Sequence, residues 1–454
     1  MLDKLSGYLL NVDAEYADIR YEKMTKTEIV YNGKELSKIG TNTMDGYVIR
    51  VLKKGGFATV SVTKPSEVEK AFELAVKNAA LLGDACDKKM KLEVPGKTID
   101  DVILDLEEDP RAISIDEKLE LLAYYNNLVL KQKDVQSTAM RYSEVYRDKF
   151  FVNTVGSKIH EQTITTGISG RIICKKGSSV QDGRVSIGGS DGFTKLRNRD
   201  DVFLKKAKIV SELLYAEPAV GGKHNVVINP SLAGVFVHEA FGHFSEADLV
   251  ENSPSLLEKM QIGAKLGTDI LDIIDDPTTK GQIGYYKYDD EGVPAKPVLL
   301  MEKGVLKGRL HSMQTAAAFN DKLNGHCVAE DARYEPIIRM GCIYIKPKNK
   351  KVEELIKEAG NGYYVLDSKG GQTSGENFTF GAQYAYKIEN GKLGALVKDI
   401  NIMGNLFSTL KNITAISDGI EFCESGGCGK GQVNIKSCHG GPHILIKNAV
   451  IGGV

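Results

Sequence analysis

Val237-His238-Glu239-Ala240-Phe241-Gly242-His243 places two imidazoles and a carboxylate within one short stretch of a chain that has only eight histidines. Metal-dependent hydrolysis needs this combination: neutral imidazoles to hold a zinc-like ion and a carboxylate to move a proton of the attacking water. The common zinc-protease motif sets its histidines four apart, on one helical face. His238 and His243 are five apart, which separates them by about 140° on a regular α-helix. Both reach one metal only if the helix widens or breaks, and a single π-type turn realigns them. Gly242, just before the second histidine, permits such a distortion. Glu239 is then the candidate base.

Around this stretch the chain alternates between strand-like and helical patterns. Asn32-Gly33 lies between Thr27–Tyr31 and Lys34–Leu36, and Gly55-Gly56 between Tyr47–Val51 and Phe57–Val60. Both pairs read as hairpin turns, because the turn positions need positive φ. A helix is expected over about 65–82 with Ser66 as its cap, and another from Ser114, where Ser114 and Glu117 form a capping box. Leu121, Leu122, Tyr125, Leu128 and Val129 then make one apolar helical face. Alternating strands return over about 135–192, and a polar helix over about 200–215. The stretch Glu217-Pro218-Ala219-Val220-Gly221-Gly222 marks a domain boundary. Val226–Ile228 reads as a buried strand, and Ser231 as the cap of the helix carrying the histidines. A mobile loop is expected over 275–292, and antiparallel strands with Gly turns, including Asn390-Gly391, over the last 90 or so residues. The fold class is therefore α+β. An N-terminal mixed α/β domain with an antiparallel sheet spans 1–218, and a mainly antiparallel β, barrel-like domain spans 219–454.

The chain has 454 residues, 42% of them hydrophobic and 26% charged, with a formal net charge of −1. That balance favours neither a nucleic acid nor an anionic membrane as partner. No apolar run approaches the roughly 20 residues of a spanning helix. The N-terminus lacks a signal-peptide pattern. Seven scattered cysteines do not form a disulfide framework. A cytoplasmic setting is expected.

Two histidines leave a catalytic zinc one protein ligand short. By residue type, Glu246, Asp248, Glu251, His311, His326, His439, His443 or a cysteine could supply it. Cys428, flanked by glycines in Gly426-Gly427-Cys428-Gly429-Lys430, is prominent among them. Cys423, Cys438 and His439 are a possible separate structural site. The Gly-Lys run lacks the arrangement of a phosphate loop. Glu246 and Asp248 are candidates to orient a ligand histidine. Arg333, Tyr334 and His311 are candidates to stabilise an oxyanion.

The chain resembles the TldD/PmbA family of metalloproteases, in its metal-binding TldD form, over nearly its whole length. The resemblance rests on His238–His243, on Arg333–Met340, on Gly375–Phe380, and on Gly427–Gln432 followed by Gly441-Pro442. It implies zinc held by His238, His243 and Cys428, with Glu239 as catalytic residue. It implies a cytoplasmic peptidase acting on unfolded peptides, and a homodimer or a heterodimer with a metal-free relative. One departure is the bulk of Phe241 and Phe244 beside the second histidine. Strand addition to a sheet edge would give broad specificity for extended chains. The alternatives are a non-catalytic, metal-stabilised regulatory binding protein, and an amidase or deformylase-like hydrolase.

Overall fold

A computed structural model describes residues 1–452. Two long hairpins dominate the first half. Strands β1 (Tyr16–Asn32) and β2 (Glu35–Lys53) turn at Gly33-Lys34, one residue later than Asn32-Gly33, with Gly33 at positive φ, and β3 (Gly56–Val62) follows β2 through Lys54 and Gly55, both at positive φ. Strands β4 (Ile99–Val102), β5 (Val135–Asn153), β6 (Lys158–Lys176) and β7 (Ser179–Gly189) complete a seven-stranded sheet. Its order is β3-β2-β1-β5-β6-β4, with β7 also paired to β6. Every pairing is antiparallel except β4 with β6.

Helices cover this sheet where the strands present apolar residues. Helix α1 (Leu2–Leu9) and helix α2 (Val68–Ala85) bury Leu5, Phe72, Ala75 and Ala79 against Ile19, Ile49 and Val51. Helices α3 (Ile115–Leu130) and α4 (Asp200–Leu213) bury Tyr125, Val129 and Phe203 against Tyr142, Ile168 and Ile172. Ser114 caps α3, its hydroxyl accepting from the Glu117 N–H at 3.1 Å. The reciprocal half of the capping box is absent, because the Glu117 carboxylate pairs with Arg197. Ser66 is not a cap. It lies inside a short 3-10 turn, Pro65–Glu67, that leads into α2.

The second half opens with β8 (Glu217–Pro218) and β9 (Gly222–Ile228), the latter buried toward its C-terminal end. An eight-stranded sheet runs through Gly362–Ser374, β9, Ile444–Gly452, Asn401–Asn405 and Asn377–Glu389. Gly362–Ser374 also pairs with Asn377–Glu389, closing these five strands into a barrel. The α+β class and the barrel-like second half thus agree with the sequence. A six-stranded sheet lies alongside, with Ile273–Asp275, Cys342–Ile345 and Cys438–Gly441 adjacent within it.

The segment 275–292 is not a loose loop. Asp275, Asp289, Asp290 and Glu291 are all buried; Asp275 pairs with His326, Asp289 accepts from backbone N–H groups, and cations on the first sheet hold the other two. Asp290 meets Lys149 at 3.0 Å and Arg20 at 3.3 Å, and Glu291 meets Arg50 at 2.7 Å. Polar composition suggested mobility, but buried counter-charges on distant strands decide the packing. Among the described residues no helix is long and apolar enough to cross a membrane.

Candidate metal centre

Helix α5 (Pro230–Phe236) starts at Asn229, not Ser231. The Asn229 side chain accepts from the Leu232 N–H, and Pro230 occupies the first turn, where it has no donor to lose. The helix then widens. Residues Val237–Gly242 form a π-helical turn, followed by a 3-10 turn over His243–Ser245. The wider turn brings His238 and His243 together, with ring centroids 5.3 Å apart and planes at 88°.

Gly242 serves this turn differently from what its flexibility suggests. Its φ is −56° and its ψ −46°, ordinary helical values. A Cβ there would sit 2.0 Å from Met340 Sδ and 3.0 Å from Ile343 Cδ1. The glycine is needed for space, so that the turn can lie against the six-stranded sheet. Phe236, packed on Phe378 and Phe380, and the fully buried Phe241 anchor the same turn from the core. The bulk of Phe241 therefore belongs to the core.

Cys428 arrives from the loop 423–437. Its N–H donates to the Ile435 carbonyl at 2.9 Å, and the Ile435 N–H returns a bond at 3.1 Å. Gly427 allows this narrow ribbon: its φ is +142°, and a Cβ would lie 2.0 Å from Asn434 Oδ1. The outcome is one cluster, His238, Glu239, His243 and Cys428, whose donor atoms all lie within 4.8 Å of one another. His243 Nε2 is 3.5 Å from Cys428 Sγ and 3.7 Å from the Glu239 carboxylate. It is the one such group among the described residues. Cys423 and Cys438, whose sulfurs are 3.7 Å apart beside His439, do not extend to a second one.

The donor set fits a zinc ion. Tetrahedral zinc with a Zn–N bond of about 2.05 Å and a Zn–S bond of about 2.3 Å holds N and S about 3.6 Å apart, close to the observed 3.5 Å. Burial, with His243, His439 and Arg339 nearby, pushes the His238 pKa well below its usual value, so the ring is neutral. Its Nδ1 is buried and has no hydrogen-bond partner. Burial opposes charge on His243, but Cys428 and Glu246 outweigh it and raise its pKa to about 9. The neighbours thus favour a positive charge at this point.

Glu246, fully buried, lies 3.4 Å from His243 Nδ1. Burial pushes its carboxyl up, but His243, Lys430 and Arg339 together hold it below the usual range. Asp248 touches neither histidine; it pairs with Lys430 at 2.7 Å. Lys430 also reaches Glu246 at 2.8 Å, tying the cysteine loop to the segment after the π turn. Arg339, fully buried, adds a 3.2 Å contact to Glu246. Sequence inspection gave neither cation a role in this centre, although Lys430 stands two residues from Cys428.

The other candidates lie apart. Arg333 is exposed and forms a salt bridge with Asp331 at 2.6 Å. The Tyr334 carbonyl accepts from Arg20. His311 is buried against Thr315 and Asp321, and burial drives its pKa down to about 4. None of the three reaches the cluster. His326 pairs with Asp275, and His443 with Tyr364.

Comparison with known proteins points to metallopeptidases. Residues 221–453 match the PmbA/TldA metallopeptidase C-terminal domain, 17–79 match domain 1, and 108–216 match the central domain. A metalloprotease of Synechocystis is 34% identical over 97% of this chain and 95% of its own length. A zinc metalloprotease TldD homolog of Saccharolobus solfataricus is 27% identical over 97% of both chains. Among solved structures, a putative modulator of a DNA gyrase from Thermotoga maritima superposes with a TM-score of 0.82 at 21% identity, covering all of both chains. TldE from Thermococcus kodakarensis gives 0.77 at 19%, covering 100% of this chain and 99% of its own. These two share the fold. With three consecutive domains matched and relatives aligned end to end, the chain belongs to the TldD/PmbA family of metallopeptidases.

Proposed function

We propose that this protein is a zinc-dependent peptidase that hydrolyses unfolded or extended peptides, with Glu239 as general base. One observation carries the proposal: two imidazoles, a thiol and a carboxylate converge within 4.8 Å from two separate segments of the chain. His238, His243 and Cys428 would hold the ion. When bound, zinc polarises a carbonyl and makes water a nucleophile near neutral pH. The chain's own groups then have separable tasks. His238 is kept neutral by burial, with its lone pair free. Glu246 accepts from His243 Nδ1–H and so leaves Nε2, beside Cys428 Sγ, as the nitrogen that would hold the ion. Glu239, partly exposed beside His243, takes a proton from the attacking water on its carboxylate and returns it to the leaving amine nitrogen.

Extended substrates would pair through their backbone with a sheet edge, which recognises main chain and not sequence. The family and the relatives' names support peptidase chemistry, and one relative's name supports zinc. A cytoplasmic location accords with seven cysteines that are all unbridged. A dimer, with a second copy or with a metal-free relative, belongs to the same reading. The division at 218/219 would assign the whole centre to the second domain.

The test is mass spectrometry of an unstructured peptide incubated with the zinc-loaded protein and with its Glu239→Gln variant. Cleavage by the parent alone is expected. An intact peptide with the parent, or equal cleavage by the variant, would overturn the assignment.

A further inference from the structure

The loop that carries Cys428 has a second side. Between it and the first sheet lies a cleft of about 250 Å³, lined by Lys26, Arg141, Arg147, Glu330, Asn434 and Lys436. The charges around it do not balance. Arg147 is taken up by Glu22 at 2.7 Å. Glu28 alone serves Lys26, Lys38 and Arg141. Glu330 is the carboxylate facing the cleft's lysines, and its Oε2 already accepts from the Val433 and Asn434 N–H groups at 2.7 and 2.9 Å. Glu424, at the cleft's end, is held by Arg199 at 2.9 Å.

Lys436 is left over. It is only partly exposed, and among the described residues it has neither an ion-pair partner nor a side-chain hydrogen bond. Burial, then Lys26 and Arg141, disfavour its charge. An ammonium desolvated beside other cations is unfavourable unless an anion joins it. The loop that borders the cleft through Gly426, Asn434 and Lys436 is the one that carries Cys428. Cys428 pairs directly with Ile435, the residue before Lys436. With about 5.5 Å between paired Cα atoms and about 3.8 Å along the chain, the Lys436 backbone lies no more than about 9 Å from that of Cys428. At about 3.3 Å per extended residue, that backbone separation alone equals about three residues of substrate, and the side chains of Cys428 and Lys436 add to it.

We propose that this cleft is a subsite for a carboxylate of an extended peptide, bound by Lys436 with Lys26 and Arg141 beside it. The inference rests on the peptidase reading and gives it a preference: chains bearing a negative charge a few residues from the scissile bond. The carboxylate can be the chain's terminus or an Asp or Glu side chain.

The test measures binding apart from cleavage. One unstructured peptide, labelled at its N-terminus, is made as the free C-terminal acid, as the C-terminal amide, and as the amide with a Glu near that end. Fluorescence anisotropy gives the Kd of each for the full-length zinc-loaded Glu239→Gln protein. At least one carboxylate form should bind about tenfold tighter than the plain amide, as one charge-assisted pair provides, and the gap should narrow with salt. Which form gains identifies the source. Lys436→Gln, compared in the same background, should reduce the gap to within about twofold, and Lys436→Arg should keep it. Equal Kd values for the three peptides, no binding of any, or a gap that survives Lys436→Gln would overturn the subsite. Cleavage of the plain amide by the parent is scored separately. Cleavage without charge discrimination removes the subsite alone; charge discrimination without cleavage removes the peptidase reading alone.

Discussion

The two segments that build the proposed centre are held by different forces. The π turn over 237–242 is fixed by shape: Phe236 and Phe241 are in the core, and Gly242 is pressed against Met340. The loop over 423–437 is fixed by polar ties: the Cys428–Ile435 ribbon, Lys430 on Glu246 and Asp248, and Glu330 on two loop N–H groups. Close packing tolerates little change, whereas the loop's charged ties end on part-exposed groups such as Lys430 and Asp248 and are individually weak. Buried Glu246 keeps Arg339 as a partner when Lys430 is lost. Faults in the turn should therefore appear as lost stability, and faults in the loop as lost metal affinity in an intact fold.

The largest effect expected leaves both segments in place. Glu239→Gln should lower kcat by about a thousandfold, in the range of general acid–base catalysis, with zinc content at the parental level. Stopped assays with metal analysis check it; loss of zinc would make Glu239 a ligand.

The next concerns burial, which is what separates strong from weak charge pairs. Asp290 is buried among Arg20, Arg147 and Lys149, and although burial pushes its carboxyl up, these cations hold it well below the usual range. Asp290→Asn should cost about 3 kcal/mol in urea unfolding at pH 7, as removal of one partner from a buried pair does. A depressed folded pKa stabilises above the unfolded value of about 3.9 and loses that contribution as pH falls through the folded one. The parent should therefore lose stability below about pH 5 more steeply than the variant. Parallel curves would contradict it.

Gly242→Ala tests the packed segment. The added Cβ meets Met340 Sδ, and overpacking of this kind costs about 1–3 kcal/mol. A lower midpoint in thermal unfolding is expected, and an unchanged one would return the glycine to a purely conformational role. Lys430→Met tests the tied segment. It frees the loop from Glu246 and Asp248, and zinc affinity should fall about tenfold with an unfolding midpoint close to the parent's. A large drop in stability instead would erase the distinction between the two segments.

Much of this was legible locally. The five-residue spacing of His238 and His243 demanded a widened turn, and the structure has one. Asn32-Gly33 and Asn390-Gly391 located hairpins because positive φ is a local demand, met by Gly33, Asn390 and Gly391. Cys428, in contrast, stood as one of several possible ligands until family resemblance singled it out. What failed was set by a neighbouring proline or by distant partners. Ser66 and Ser231 had the chemistry of caps, but Pro65 and Pro230 started their turns elsewhere. The acid-rich stretch 275–292 looked mobile because its cations lie on strands more than a hundred residues away in sequence. Arg333 and His311 satisfy themselves with Asp331 and with Thr315 and Asp321. No spacing rule reveals that Lys430 joins its loop to Glu246 across 184 residues.

The most direct test of the centre is X-ray absorption at the zinc edge of the loaded protein. One sulfur at about 2.3 Å and two imidazole nitrogens at about 2.0–2.1 Å, with a single further light atom, are predicted. A shell without sulfur, or one with two sulfurs, would contradict the convergence of His238, His243 and Cys428 on one ion.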